Sequence, residues 1–144
     1  MRRALLLLSL LIACSTPSPK PAETGPAPAK APLIAGTIDL AESVKAQADP
    51  LAVLFVIARN SQGQIVAVKK LFPPFQYPVS FSLGEEDAMI QGTELSGNLM
   101  VSARLDKDGN ANPPAPGDIL AKADPKGFPV GSKDLKLVLN EAVK

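Results

Sequence analysis

The chain has no histidine, no tryptophan and only one cysteine among its 144 residues. Without histidine, neither a Ser-His-Asp triad nor a Cys-His nucleophile can form. The same absence excludes zinc sites that use imidazole and haem held by a histidine. A single cysteine excludes a disulfide within the chain. We therefore interpret the chain as non-enzymatic, with no catalytic residues, no metal site and no cofactor, and expect it to work by binding or assembly.

An excess of charge of one sign is also missing. The chain carries 15 basic and 14 acidic side chains, which gives a formal net charge of +1. A domain that binds nucleic acid clusters its positive charge on one surface. The composition therefore predicts no nucleic acid partner.

The N-terminus has the pattern of a secretory signal. Arg2 and Arg3 give it a basic start, and residues 4–12 are almost entirely apolar. This run is about half the roughly 20 apolar residues that a membrane span requires. Its length and flanks predict a cleaved signal over residues 1–13.

The only cysteine, Cys14, closes this signal. The sequence Leu-Ile-Ala-Cys at residues 11–14 resembles a bacterial lipobox. In that motif the thiol receives a diacylglyceryl group, and cleavage makes the cysteine the first residue. Several acyl chains anchor a protein stably in a lipid bilayer, so the resemblance implies a lipoprotein in the cell envelope facing the periplasm. Ser15 favours the outer membrane in a Gram-negative source, and an ordinary signal with an incidental thiol is the alternative.

A proline-rich stretch follows the lipidated cysteine, and the two together form a predicted linker over residues 14–32. Residues 15–32 hold six prolines and no large apolar side chain. Such a composition buries too little apolar surface to fold. We therefore expect a disordered tether between the lipid and the folded domain.

From Leu33 onward the sequence predicts one domain, over residues 33–144, built from short strands. The predicted strands cover residues 33–40, 51–60, 65–71, 77–83, 98–106 and 134–140. Most alternate apolar and polar residues, but residues 51–60 are apolar on both faces, which is typical of a strand buried on both sides. Short strands separated by glycine and proline predict an all-β fold, an antiparallel β-sandwich of immunoglobulin-like type. The predicted core contains Phe55, Ile57, Phe81, Val101, Leu137 and Leu139.

Three of the six aromatic residues, Phe72, Phe75 and Tyr77, lie close together and alternate with prolines. The prolines exclude a regular central strand here. Two interpretations stay open. The three aromatics form an exposed ridge that binds a partner chain, or they close the end of the core where the chain crosses between sheets. Edge strands of the sandwich offer a second route to a partner through β-augmentation.

One turn resembles the start of a calcium-binding loop. Asp106, Asp108 and Asn110 match the first, third and fifth positions of an EF-hand. Ala111 then replaces the required glycine, and Gly117 replaces the bidentate glutamate. An Asp-Gly hairpin turn fits these residues better, and calcium binding stays as the alternative.

Three blocks of sequence together resemble the C-terminal periplasmic domain of the CcmI family of c-type cytochrome biogenesis proteins. The blocks are residues 36–40 with 54–59, residues 67–70 with 77–83 and 87–89, and residues 101–105 with 109–113 and 116–118. Their order and spacing are similar over roughly residues 36–120. The last block, Val-Ser-Ala-Arg-Leu followed by Gly-Asn-Ala-Asn-Pro and Pro-Gly-Asp, is the most specific.

The resemblance implies a β-sandwich outside the inner membrane that serves the maturation of c-type cytochromes. Proteins of that family deliver unfolded apocytochrome to the haem-attachment machinery. Their transmembrane helices and helical repeats have no counterpart in this sequence. We therefore expect a membrane-anchored accessory module that binds a polypeptide, either apocytochrome c or a maturation factor. The alternative is a structural lipoprotein subunit of an envelope or respiratory complex.

Overall fold

The structure is a computed structural model that describes residues 33–90, 95–110 and 113–144. Cys14, the predicted signal and the predicted tether lie outside the described residues. Within these ranges the strands are β1 (Ile34–Leu40), β2 (Val53–Arg59), β3 (Ile65–Leu71), β4 (Val79–Leu83), β5 (Asn98–Asp106), β6 (Ile119–Ala121), β7 (Phe128–Pro129), β8 (Leu135–Leu139) and β9 (Glu141–Ala142). A short helix, α1 (Glu42–Lys45), follows β1, and a 3-10 turn (Glu85–Asp87) follows β4.

Six of the strands form the larger sheet, in the order β3-β2-β5-β6-β9 with β7 also paired to β5. The strand β2 pairs antiparallel with both β3 and β5. The turn between β2 and β3 is closed by Asn60, whose side-chain oxygen accepts hydrogen bonds from the backbone of Gln62 and Gln64, both at 3.0 Å. Gly63 supplies the positive φ of this turn, +79°, which a glycine adopts without steric cost.

The smaller sheet has three strands in the order β4-β1-β8. β1 is antiparallel to β4 but parallel to β8, so the prediction of an antiparallel sandwich is wrong for this one pair. The reason lies just before β8, where the Gly131 amide donates to the Leu33 carbonyl at 2.6 Å and the Ser132 carbonyl accepts from Ala35 at 3.0 Å. Because these bonds hold the start of β8 beside the start of β1, the two strands run in the same direction.

A single apolar core fills the space between the two sheets. The residues that it takes from the long strands are Ile34 and Ile38 of β1, Leu54, Val56 and Ala58 of β2, Phe81 and Leu83 of β4, Leu99, Val101, Ala103 and Leu105 of β5, and Leu135, Leu137 and Leu139 of β8. Most of these residues are spaced by two because successive side chains of a strand point to opposite faces. The predicted β-sandwich is confirmed, and so is the burial of all six predicted core residues, four of which lie in this core.

The other two predicted core residues, Phe55 and Ile57, are buried but lie on the opposite face of β2. They alternate with the core residues Leu54, Val56 and Ala58, so they point away from the smaller sheet. Only 4% of Phe55 and 6% of Ile57 is exposed. The prediction of a strand buried on both sides is therefore confirmed at these two positions. The apolar run without alternation did not reveal which residues cover each face.

The sequence did not predict the strands β6, β7 and β9. They contain three, two and two residues, which is too short for a period of two to appear. No helix in the described ranges is long and apolar enough to cross a membrane.

Candidate functional site

The three candidate aromatic residues occupy two environments. Phe72 follows β3 and is 67% exposed. Phe75 and Tyr77 pack partly buried against the core, with ring centroids 6.4 Å apart. Burial also raises the pKa of the Tyr77 hydroxyl. Of the three, Phe72 is therefore the one that offers a largely exposed ring.

Phe72 is linked to the larger sheet through a lysine. The Lys70 ammonium lies 5.3 Å from the centre of the Phe72 ring and 5.3 Å from that of Phe55. On the other side of Phe55, the Arg104 guanidinium carbon lies 5.9 Å from the ring centre. Such cation–π contacts are worth about 0.5–2 kcal/mol each. We call Phe55, Lys70, Phe72 and Arg104 the aromatic cluster.

The strand register explains why these four residues meet. Phe55 of β2 stands directly opposite Lys70 of β3 and Arg104 of β5. Since Phe55 points away from the core, its two cross-strand neighbours do as well. We call this side of the six-stranded sheet the outer face, and the long stems of Lys70 and Arg104 bury the ring of Phe55 on it.

A buried ion network holds one end of the cluster. Arg104 Nε lies 3.1 Å from Asp106 Oδ2 and 3.9 Å from Asp118 Oδ2. All three side chains are almost completely buried. Arg104 Nε and Asp106 Oδ2 are not oriented for a hydrogen bond, so their attraction is chiefly coulombic and grows in the low dielectric of the interior.

The two carboxylates of this network also shape the loop between β5 and β6. Asp118 accepts hydrogen bonds from the backbone of Lys107 at 3.1 Å and of Ala115 at 2.8 Å. Asp106 accepts the backbone N–H of Asn110 at 3.0 Å. Hydrogen bonds to a charged acceptor are stronger than neutral ones, so the network fixes both ends of this loop.

The predicted Asp-Gly turn lies in this loop and is present. Asp108 accepts the Asn110 amide at 2.9 Å, an Asx turn, and Gly109 has a φ of +73°. Burial, a hydrogen bond to Asp108 and the charge of Asp118 together raise the pKa of Asp106. The Asn110 amide and the bond to Asp106 lower the pKa of Asp108. The described part of the chain contains no group of three acidic, histidine or cysteine side chains arranged for a metal ion.

The network was not predicted from the sequence. The alternation of Arg104 with Ala103 and Leu105 indicates an outward side chain, but it does not reveal that this side chain is buried. Two features of the sequence could have indicated it: Arg104 stands two residues before Asp106 in a predicted strand, and Asp118 ends the turn that follows. Neither fixes a contact without the register of β2 and β5.

Comparison with known proteins gives one family. The family model of the cytochrome c-type biogenesis protein H Ig-like domain matches residues 34–140, which include every strand from β1 to β8. No curated protein and no solved structure matches the chain.

Proposed function

Because this chain belongs to the cytochrome c-type biogenesis protein H Ig-like domain family, we propose that it is a non-enzymatic accessory protein of c-type cytochrome assembly that holds a polypeptide partner. The observation that carries the binding role is the exposed ring of Phe72 on the outer face of the larger sheet. An exposed aromatic ring beside a cation gives a large contact area at little cost in side-chain entropy.

The partner is apocytochrome c or a maturation factor. The sequence resemblance to the C-terminal domain of the CcmI family supports this choice, as does membership of a c-type cytochrome biogenesis family. The aromatic cluster would contact the partner through Phe72, while Phe75 and Tyr77 support the adjoining chain from the edge of the core.

The protein acts at the envelope, facing the periplasm. Its domain, residues 33–144, would be held by acyl chains on Cys14 through the proline-rich linker over residues 14–32, after removal of residues 1–13. Extended proline-rich chain covers about 3.1 Å per residue, so this linker lets the domain reach roughly 50 Å from the bilayer. Replacement of Cys14 by Ala should release the protein from the membrane fraction, and a membrane-bound, normally processed variant would contradict the anchor.

The direct test uses the full-length protein, crosslinked in cells, purified from detergent and analysed for bound apocytochrome and maturation factors. Haem staining of covalently bound c-type cytochromes in the same cells reports the outcome of assembly. Phe72→Ala should reduce both signals. The matched control is Val138→Ala, which removes an exposed apolar side chain from the outward face of the smaller sheet.

The proposal fails if the wild-type protein captures no apocytochrome and no maturation factor and if cells without it keep normal c-type cytochromes. The assignment of Phe72 to the binding site fails if Phe72→Ala and Val138→Ala have the same effect on partner capture and on haem staining. Stoichiometric copurification with an assembled respiratory complex would favour the structural-subunit alternative.

A further inference from the structure

A groove crosses the outer face of the six-stranded sheet next to the aromatic cluster. It has a volume of about 230 Å³, and Ile57, Pro114 and Leu120 give it apolar walls. Ile57 lies two residues beyond Phe55 on β2, a distance of roughly 7 Å in a strand. The groove and the exposed ring of Phe72 therefore form parts of one surface.

The charged residues that line the groove all have the same sign. They are Arg59, Arg104 and Lys122, and none of the described residues that line it is acidic. Two of the three are already compensated, since Arg104 belongs to the buried ion network and Lys122 lies 2.6 Å from the Glu141 carboxylate.

Arg59 is the exception. Within the ranges that the structure describes it forms no ion pair, and its Nη1 donates to the Ser102 hydroxyl at 3.3 Å. Its side chain is only partly exposed, so water compensates the charge less well than at a free surface. A guanidinium in this state presents the planar pair of donors that matches a carboxylate.

We propose that this groove binds an acidic side chain within an extended segment of the polypeptide partner, with Arg59 as the carboxylate anchor. Ile57 and Leu120 then contact the apolar side chain next to it. This inference rests on the proposed function, which supplies a polypeptide as the partner. It adds that the partner carries an acidic residue. The positive charge of the groove and the absence of a compensating acid at Arg59 select a negative group.

The source of the carboxylate is a side chain and not a chain terminus. The outer face runs from Phe72 past Phe55 and Ile57 to Arg59. Because Leu71 pairs with Leu54, Phe72 lies level with Val53, and six residue steps or roughly 20 Å of β2 separate the two ends. An extended segment that touches both ends of this surface spans about seven residues. An internal residue meets this geometry without requiring the chain to end in the groove.

The test measures fluorescence anisotropy with the full-length protein in detergent at low ionic strength. The probes are nonapeptides blocked at both ends, with a central glutamate or glutamine between leucine and valine. A third peptide carries the glutamine and a free C-terminal carboxylate. The variants are Arg59→Gln and, as a matched control, Lys136→Gln, which removes one positive charge from the exposed outward face of the smaller sheet.

We expect the glutamate peptide to bind about tenfold or more tightly than the glutamine peptide, as a charged hydrogen-bonded pair implies. Arg59→Gln should abolish this preference, and Lys136→Gln should retain it. Equal binding of the two peptides, no binding of the glutamate peptide at millimolar concentration, or a preference that survives Arg59→Gln would overturn the proposal. Equally tight binding of the peptide with the free C-terminus would overturn the side-chain source.

This result is separable from the proposed function. If cells that carry Arg59→Gln still assemble c-type cytochromes and the protein still captures its partner, the groove is not the site although the function stands. Thermal unfolding of each variant, followed by circular dichroism, confirms that a loss of the preference does not come from loss of the fold.

Discussion

The two sheets share one core but present different outer surfaces. The smaller sheet turns Thr37, Ser80 and Lys136 outward, and these side chains are small or well solvated. The larger sheet turns Phe55 and Ile57 outward and keeps both buried, Phe55 beneath the cations Lys70 and Arg104. A sheet face that only meets water does not need buried phenylalanine and isoleucine. The contrast is one reason for our proposal that this domain meets its partner on the larger sheet.

The comparison also separates two ways of burying a large side chain. Phe81 of the smaller sheet lies in the core between the two sheets, where no flexible side chain can move in to fill the space that its truncation leaves. Phe55 is enclosed by the flexible cations Lys70 and Arg104. Cavities between two sheets collapse less readily than spaces under flexible stems, so the two sites should respond differently to truncation.

The largest expected effect belongs to the shared core. Phe81→Ala should lower the free energy of unfolding by about 3–5 kcal/mol, because it leaves a cavity between the sheets. Urea denaturation followed by circular dichroism measures this change. A loss below about 1 kcal/mol would show that Phe81 is not enclosed, and the difference between the sheets would then need another explanation.

The ion network comes next. Asp118→Ala should destabilise the protein by about 2–4 kcal/mol, because it removes an acid near Arg104 and leaves the amides of Lys107 and Ala115 without their acceptor. Hydrogen exchange should accelerate at these two amides more than in β1. Unchanged exchange there would mean that Asp118 does not fix the loop.

Truncation on the outer face should cost less than truncation in the core. Phe55→Ala is expected to lower the free energy of unfolding by about 2–3 kcal/mol, since Lys70 and Arg104 can move into part of the space. The same urea denaturation applies, with Phe81→Ala as the reference. If Phe55→Ala and Phe81→Ala lower the free energy of unfolding equally, burial under flexible cations and burial between the sheets do not differ in the way argued above.

The pattern of residues was enough to predict the strands that line the core. Val79 to Leu83 and Leu135 to Leu139 alternate strictly, and both face the core as predicted. It was not enough for β2, where an apolar run fits burial by a second sheet or by local side chains equally well. The direction of β8 also escaped prediction, because it depends on the hydrogen bonds of Gly131 and Ser132 to the start of β1.

The candidate site was predictable only in part for the same reason. Phe72, Phe75 and Tyr77 stand together in the sequence, but the strand register sends Phe72 outward while the other two meet the core. Arg59 carries no local signal, since an arginine at the end of a strand usually lies in water. Its lack of an acidic partner among the described residues is a property of the fold and not of the local sequence.

Acid titration should distinguish the two aspartates of the loop between β5 and β6. Because the pKa of Asp106 is raised in the folded state, its contribution to stability falls as the pH rises from the ordinary carboxyl range through the raised value. The pKa of Asp108 is lowered, so its contribution is present above the ordinary value and is lost as the pH falls through the lowered one. The free energy of unfolding should be measured by denaturation between pH 3 and 7. Asp106→Asn should remove a loss of stability with rising pH, and Asp108→Asn should remove a loss of stability with falling pH. Effects of the same sign in the two variants would refute the assignment.

The smallest effect on stability is expected at the residue on which the proposed function depends most. The Phe72 ring is 67% exposed, so Phe72→Ala should change the free energy of unfolding by about 1 kcal/mol or less, which is the size of its exposed cation–π contact with Lys70. Val138→Ala, at a residue 45% exposed on the other sheet, should change it equally little. The two variants should differ in partner capture alone, because only Phe72 belongs to the outer face of the larger sheet. A large loss of stability in Phe72→Ala would make the ring part of the structure, and the surface contrast between the sheets would then no longer point to binding.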